Sequence, residues 1–336
     1  MKRNPLTEDS ILRKILASCR PAPGSGIGQS IPLGIGDDAT LFRPRRRHDT
    51  ILTCDWFLEG THFLRDDHPP DSVGWKCLAR AVSDIAAMGG TPRCFLLGLA
   101  LPASLTGPWL DDFLAGLRRA SRKLGCALAG GDTTRRDEVL INVTVVGEVK
   151  AGSAALRSGA RAGDVLYVSG RLGEAELGLR ILRQGKKPPR VRNPLTRKHL
   201  YPEPRVALGQ WLAGARLVSS MMDLSDGLSS DLPRLCAASG VGARLEMVRI
   251  PRVRIPKHAF REGIDSTRLA LHGGDDYELL FTVPPHRLQI VPASFQGVPL
   301  TSIGTVTRKR EVVILEESGG KQQLLASGWD PFRKQT

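Results

Sequence analysis

Carboxylates set beside glycine or hydroxyl residues, at the ends of apolar segments, constrain this chain more than any other feature of its sequence. Gly34-Ile35-Gly36-Asp37-Asp38-Ala39 is the first such stretch. Thr53-Cys54-Asp55, Ser83-Asp84, Gly130-Gly131-Asp132-Thr133-Thr134, Asp223-Leu224-Ser225-Asp226-Gly227 and Gly273-Gly274-Asp275-Asp276 repeat the theme. Adjacent carboxylates repel, and a chain with a net charge of +14 has ample cations with which to avoid the pairing. A divalent cation such as Mg²⁺ turns that repulsion into chelation, because it takes hard oxygen ligands from carboxylates and phosphates. One such hexapeptide alone reads as an Asp-rich surface turn. The series reads as a polynuclear metal-phosphate site.

Between the turns the pattern is α/β. Residues 7–19 form an amphipathic helix with Thr7 or Asp9 as N-cap. Thr50 to Asp55 has strand character, and Ser72 to Gly90 is the clearest helix. Val73, Cys77, Leu78, Ala81, Val82, Ile85 and Met88 recur there at helical spacing. Asp84 falls inside that helix with no obvious Arg neighbour, where a metal ligand is easier to account for than a cap. Cys94 to Leu101 reads as a strand and Leu110 to Leu124 as a second helix. Cys126 to Thr134 runs from strand into a glycine turn whose amides can cradle phosphate. The pattern changes near Ala151-Gly152-Ser153, which divides the chain into domains at 1–150 and 151–336. In the second half, residues 184–205 read as an exposed Pro- and Arg-rich loop, 221–235 as an acidic turn entering a helix, and 269–283 as a glycine turn entering a strand.

Length and composition bear on the class of partner. At 336 residues the chain has room for two cores. No apolar run approaches the ~20 residues that span a bilayer, and Met1-Lys2-Arg3-Asn4-Pro5 lacks a secretory h-region, so a cytoplasmic protein is expected. Six cysteines without a C-x-x-C pair make neither a disulfide framework nor a zinc site. Residues 1–150 hold 20 Lys and Arg against 17 Asp and Glu, whereas residues 151–336 hold 28 against 17. A basic half suits an anionic substrate or nucleic acid. An aromatic content of 5% argues against base-stacking platforms, and a nucleic-acid module leaves the acidic turns unexplained.

The ordered series GIGDDA, T-C-D, EGTHF, SDIAAMGG, GGDTT, RSGARAGD, DLSDGLSSDL and GGDDYELLFT resembles the thiamine-monophosphate kinase family from about Gly34 to Trp329. The resemblance implies a two-domain α/β (α+β) fold of the aminoimidazole ribotide synthetase type, and a homodimer whose N-terminal sheets pair across the two-fold. It implies transfer of a phosphoryl group from ATP to thiamine monophosphate with several Mg²⁺ ions; a sister enzyme such as aminoimidazole ribotide synthetase is the alternative. It implies that Asp38, Asp55, Asp84, Asp132, Asp223 and Asp226 hold metals, with Thr53 and Cys54 in the same set. Gly131, Arg157 and Ser225 would contact ATP, and His62, Asp275 and Trp329 the thiamine substrate. Cys54 departs from the hydroxyl residue common at its position. A thiol is a poor Mg²⁺ ligand, so its carbonyl would have to serve.

The chemistry is coherent without the resemblance. No G-x-x-x-x-G-K-[ST] segment occurs, so a P-loop is not the phosphate cradle. Phosphoryl transfer needs positioning and charge neutralisation, which Asp-bound cations supply. A phosphate acceptor, with a second pKa of about 6, arrives ionised and needs no general base.

Overall fold

In the computed structural model the described residues are 7–19, 30–35, 39–184, 193–256, 263–316, 318–330 and 332. They group into two units. One comprises the described residues up to Ile85 together with Gly90–Gly152; the other comprises Ala86–Gly89 and the described residues from Ser153 onward.

The first unit runs α1 (Glu8–Cys19), β1 (His48–Leu58), α2 (Pro70–Ala87), β2 (Thr91–Leu101), α3 (Pro108–Leu124), β3 (Ala127–Arg135) and β4 (Leu140–Lys150). Its four strands form a sheet in the order β1-β4-β2-β3, with β2 and β3 parallel and the other pairs antiparallel. Strand residues alternate between faces. On β1, Ile51 and Phe57 are buried while Leu52, Cys54 and Trp56 are exposed, so Thr53 and Asp55 share the inner face. Helix α2 is held by its apolar stripe: Val73, Cys77, Leu78, Ala81, Val82 and Ile85 are each at most 1% exposed. Burying a side chain of Val, Leu or Ile size contributes about 1.5–3 kcal/mol, so this helix is among the firmest supports the unit has.

The segment expected to turn at its glycines does not. Gly130, Gly131 and Asp132 lie within β3, paired with Leu96, Leu97 and Gly98 of β2 after a register shift. A Cβ on Gly131 would stand 2.0 Å from the Leu97 carbonyl oxygen, so glycine is required there for close approach of two strands. The glycine pair marks a tight ladder rather than a chain reversal.

The second unit runs β5 (Val165–Ser169), α4 (Glu174–Gln184), α5 (Pro194–Leu200), α6 (Val206–Gly214), β6 (Ser220–Leu224), α7 (Leu228–Ser239), β7 (Gly242–Glu246), α8 (Ser266–His272), β8 (Glu278–Val283), β9 (Ser294–Phe295), β10 (Val298–Thr307), β11 (Val312–Leu315) and β12 (Lys321–Gln323). The strand order is β12-β11-β7-β10-β5-β8-β6, with β9 on β10. One core joins Leu166 and Val168 to Leu228, Leu232 and Leu235 of α7; another joins Leu279, Phe281 and Val283 to Leu208 and Leu212 of α6. β6 and β8 are buried at every residue, as strands covered on both faces must be.

The Pro- and Arg-rich stretch also differs from its expected loop. Asn193 caps α5, its side chain accepting from the Leu195 amide at 3.0 Å with Pro194 at the first helical position. Thr196, His199 and Leu200 are buried, so tertiary packing makes a helix of residues too polar to announce one. Among the described residues no helix is long and apolar enough to cross a membrane.

Candidate active site

In the first unit the site residues come from β1 and α2. Helix α2 directs Asp84, half-buried among buried neighbours, at β1, where the Thr53 hydroxyl donates to its Oδ2. Asp55, two residues on and therefore on the same face, stands 3.6 Å from Arg80 Nη2. Arg80 lies one helical turn before Asp84, and its guanidinium sits 5.5 Å from the centroid of the Phe57 ring. The expected absence of an Arg neighbour is thereby corrected: the i, i+4 spacing was legible, although the guanidinium engages Asp55. A carboxylate, a second carboxylate and a hydroxyl on one face are hard oxygen donors of the kind that suit a small divalent cation. Among the described residues, no group of three or more His, Cys, Asp or Glu side chains is arranged to hold a metal by itself.

Cys54 faces the other way. Its exposed thiol exchanges contacts with Asn142, Sγ to Oδ1 at 3.4 Å and Nδ2 to Sγ at 3.2 Å, and takes no place beside Asp84. Asp132 belongs to that outer row as well, since Trp56, Asn142, Gly98 and Asp132 are successive partners across the sheet. Asp38 lies outside the described residues. Thr40, two positions later, donates its hydroxyl to the Ala129 carbonyl, immediately before Gly130-Gly131-Asp132.

His62 closes the loop after β1. Its Nδ1 accepts from the Leu58 amide at 3.0 Å, which places the proton of the neutral ring on Nε2. The ring lies 5.9 Å from Phe57, the same ring that Arg80 covers. Glu59 is occupied by Arg65 at 3.2 Å and by the Val139 amide at 2.8 Å, so it holds the loop rather than a ligand.

In the second unit the acidic turn joins β6 to α7. Asp223 is 3% exposed, and the turn that follows is folded around Asp231, which sequence reasoning passed over. Asp231 accepts from the amides of Ser225 at 3.1 Å and Asp226 at 3.0 Å, and from Arg234 at 2.8 Å. Burial and the neighbouring Asp226 charge push its carboxyl up to about 6. Arg234 also reaches Asp226 at 2.5 Å. The turn is therefore preshaped by groups on its own helix.

Two further segments dock on this turn. The Asp275 and Tyr277 amides donate to the carbonyls of Ser225 and Leu224 at 2.8 and 2.9 Å. The C-terminal segment is tied by the Gly328 amide to Ser230 Oγ at 3.1 Å and by the Trp329 amide to the Asp226 carbonyl at 3.0 Å. A Cβ on Gly328 would fall 2.0 Å from that carbonyl, which is why glycine precedes Trp329. Ser225, Asp226, Asp275 and Trp329 are thus gathered by backbone hydrogen bonds. Arg157 is not: its carbonyl accepts from Ser239 at the far end of α7, roughly 16 Å along the helix at 1.5 Å per residue.

Residues 36–149 match the family described as AIR synthase related protein, N-terminal domain, and residues 161–316 its C-terminal domain. Thiamine-monophosphate kinase of Escherichia coli (strain K12) is 36% identical over 307 residues, 90% of this chain and 92% of that protein. The crystal structure of thiamine-monophosphate kinase from Stenotrophomonas maltophilia K279a aligns with a TM-score of 0.76 at 34% identity, covering 92% of this chain and 96% of that one. AaThiL, solved in complex with AMPPCP and TMP, aligns at 0.74 and 31% identity, covering 85% and 89%.

Proposed function

The chain belongs to the thiamine-monophosphate kinase family, and from that premise we infer that it transfers the terminal phosphoryl group of ATP to thiamine monophosphate. The bond from the terminal phosphorus to its bridging oxygen breaks, a bond to a phosphate oxygen of the acceptor forms, and the products are thiamine diphosphate and ADP. The observation that carries the reading is similarity along both halves of the chain to enzymes of this one activity, including a relative solved with an ATP analogue and TMP. The test is purified protein with ATP, Mg²⁺ and thiamine monophosphate, with products identified by mass spectrometry. Thiamine diphosphate is expected, and free thiamine should not be phosphorylated, because a phosphate acceptor arrives ionised whereas a hydroxyl would need a base to activate it. Turnover of thiamine, or none of its monophosphate, overturns the assignment.

We assign ATP and Mg²⁺ binding and the dimer contacts to the first unit, with the second completing the nucleotide and substrate site. Thr53, Asp55 and Asp84, with Asp38, are the oxygen donors assigned to Mg²⁺ in the first unit, and Asp223 and Asp226 in the second; Asp132, on the opposite face of the sheet, is left out of that set. The half-buried Asp84 carboxylate already engaged by the Thr53 hydroxyl supports that assignment. Bound Mg²⁺ supplies charge neutralisation for the phosphoryl oxygens. Gly131, Arg157 and Ser225 are assigned to ATP; His62, Asp275 and Trp329 to the thiamine moiety, whose cationic ring suits a carboxylate and an aromatic face. The His62 ring is oriented by the Leu58 amide, which donates to Nδ1. The six free cysteines accord with a cytoplasmic location.

We further propose a homodimer formed through the outer face of the four-stranded sheet. Leu52, Trp56 and Leu96 are 69%, 56% and 40% exposed there, and cross-strand pairing sets them in neighbouring rows with Cys54 and Thr144. Apolar side chains grouped on one sheet face are what a partner covers. Leu52→Asp and Trp56→Asp should each halve the mass measured by light scattering while leaving the circular dichroism intact. A parent protein that is already monomeric, or variants that remain dimeric, would refute this interface.

A further inference from the structure

Three acidic residues lie between the end of α8 and the first residue of β8, and two of them are consumed by the fold. Asp276 is buried and accepts from the amides of Gly173 at 2.6 Å and Ala175 at 3.0 Å, capping the start of α4. Glu278 is buried among Ser169, Lys198 and Arg205. Asp275, with 31% of its side chain exposed, is the one of the three that faces outward.

Its carboxylate is hydrogen-bonded on one side and flanked by an imidazole on the other. The Tyr277 hydroxyl donates to Oδ1 at 2.7 Å, and His199 Nδ1 stands 3.8 Å from Oδ2. Tyr277 and His199 are each 2% exposed, so neither has room to swing away. Asp275 and Tyr277 both hold left-handed backbone angles, φ +66° and +49°, which residues bearing a Cβ rarely adopt. Such conformations persist where the surroundings over-determine them, and they cluster at ligand clamps. Here the amides of the same two residues are tied to Ser225 and Leu224. Helix α5 meanwhile presents Lys198 to Glu278 and the adjacent His199 to Asp275.

We propose that Tyr277 and His199 are positioning residues that hold the Asp275 carboxylate in one orientation for the cationic or amino-bearing ring of the thiamine substrate. The inference rests on the reading that Asp275 contacts that substrate. A preset carboxylate loses less conformational freedom on binding than a mobile one, so the clamp should act on substrate affinity.

The test compares Asp275→Asn, Tyr277→Phe, His199→Asn and the double variant Asp275→Asn/Tyr277→Phe, with KM for thiamine monophosphate, KM for ATP, kcat and melting temperature measured for each. Tyr277→Phe and His199→Asn should raise KM for thiamine monophosphate roughly three- to tenfold and leave KM for ATP within about twofold. The double variant should be no worse than Asp275→Asn, because the hydroxyl acts only through that carboxylate. Where Tyr277→Phe does not fold, His199→Asn, alone and combined with Asp275→Asn, carries the same comparison. Unchanged KM for thiamine monophosphate, equal shifts in both KM values, or full additivity in the double variant would overturn the proposal. If Asp275→Asn itself leaves that KM unchanged in an enzyme that makes thiamine diphosphate, the substrate role of Asp275 fails and the clamp fails with it. If Asp275→Asn raises it but Tyr277→Phe and His199→Asn do not, only the clamp fails.

Discussion

Asp84→Asn is expected to lower thiamine diphosphate formation by about a hundredfold or more, the scale of losing one preorganised electrostatic group from a transition state. The amide keeps the size and shape of the side chain and can still accept from the Thr53 hydroxyl. What disappears is the negative charge. The rest of α2 stays buried on its apolar stripe, so the fold should survive, and removing a carboxylate that shares its face with Asp55 should not lower the melting temperature of the ligand-free protein. The discriminating measurement is the rise in melting temperature on adding Mg²⁺-ATP, which reports binding to the folded state. It should shrink in the variant. An unchanged rise together with full turnover would remove Asp84 from the set of metal ligands.

Glu278→Gln should destabilise the second unit by about 3–5 kcal/mol, the cost of breaking a buried ion pair from one side. Glu278 is fully buried, and Lys198, Arg205 and Ser169 all bond to it. The glutamine leaves two largely buried cations without their counter-charge. Burial alone would push the Glu278 carboxyl upward, but the Lys198 and Arg205 charges outweigh it and bring the carboxyl down to about 2 from an ordinary 4.5. A carboxyl lowered on folding stabilises above its unfolded value and loses that contribution as the pH falls through the folded one. The parent should therefore lose this part of its stability between about pH 4.5 and 2, and the gap between parent and variant should narrow across that interval. Denaturant titrations at neutral pH and near pH 3 measure it. A neutral-pH difference under about 1 kcal/mol would mean that water screens the cluster as it screens a surface pair.

These two carboxylates illustrate how unevenly the site is written in the sequence. Asp84 was legible because helical periodicity is local: apolar residues recur at helical spacing from Val73 to Met88, Asp84 falls inside that run, and the structure puts its carboxylate against β1. Thr53 and Asp55, two apart on a strand, share a face, whereas Cys54, which the resemblance placed in the same metal set, turns to the other face. The acidic turn at Asp223 to Asp226 declared itself by a buried strand running into a helix.

What the sequence alone determined was local: the α/β succession, the helical and strand faces, and the residue types suited to cations and phosphate. Tertiary structure decided the rest. Gly130 and Gly131 read as a turn until β2 is laid beside β3 and the Leu97 carbonyl leaves no space for a Cβ. Residues 194–200 read as loop until Thr196, His199 and Leu200 find burial. Of the acids in GGDDYE, nothing in their order distinguishes the cap, the buried counter-ion and the half-buried carboxylate. That distinction comes from α4, α5 and β5, whose amides, cations and hydroxyl are distant in sequence and adjacent in space. Desolvation and charge pairing depend on such neighbours, and a one-dimensional pattern does not contain them.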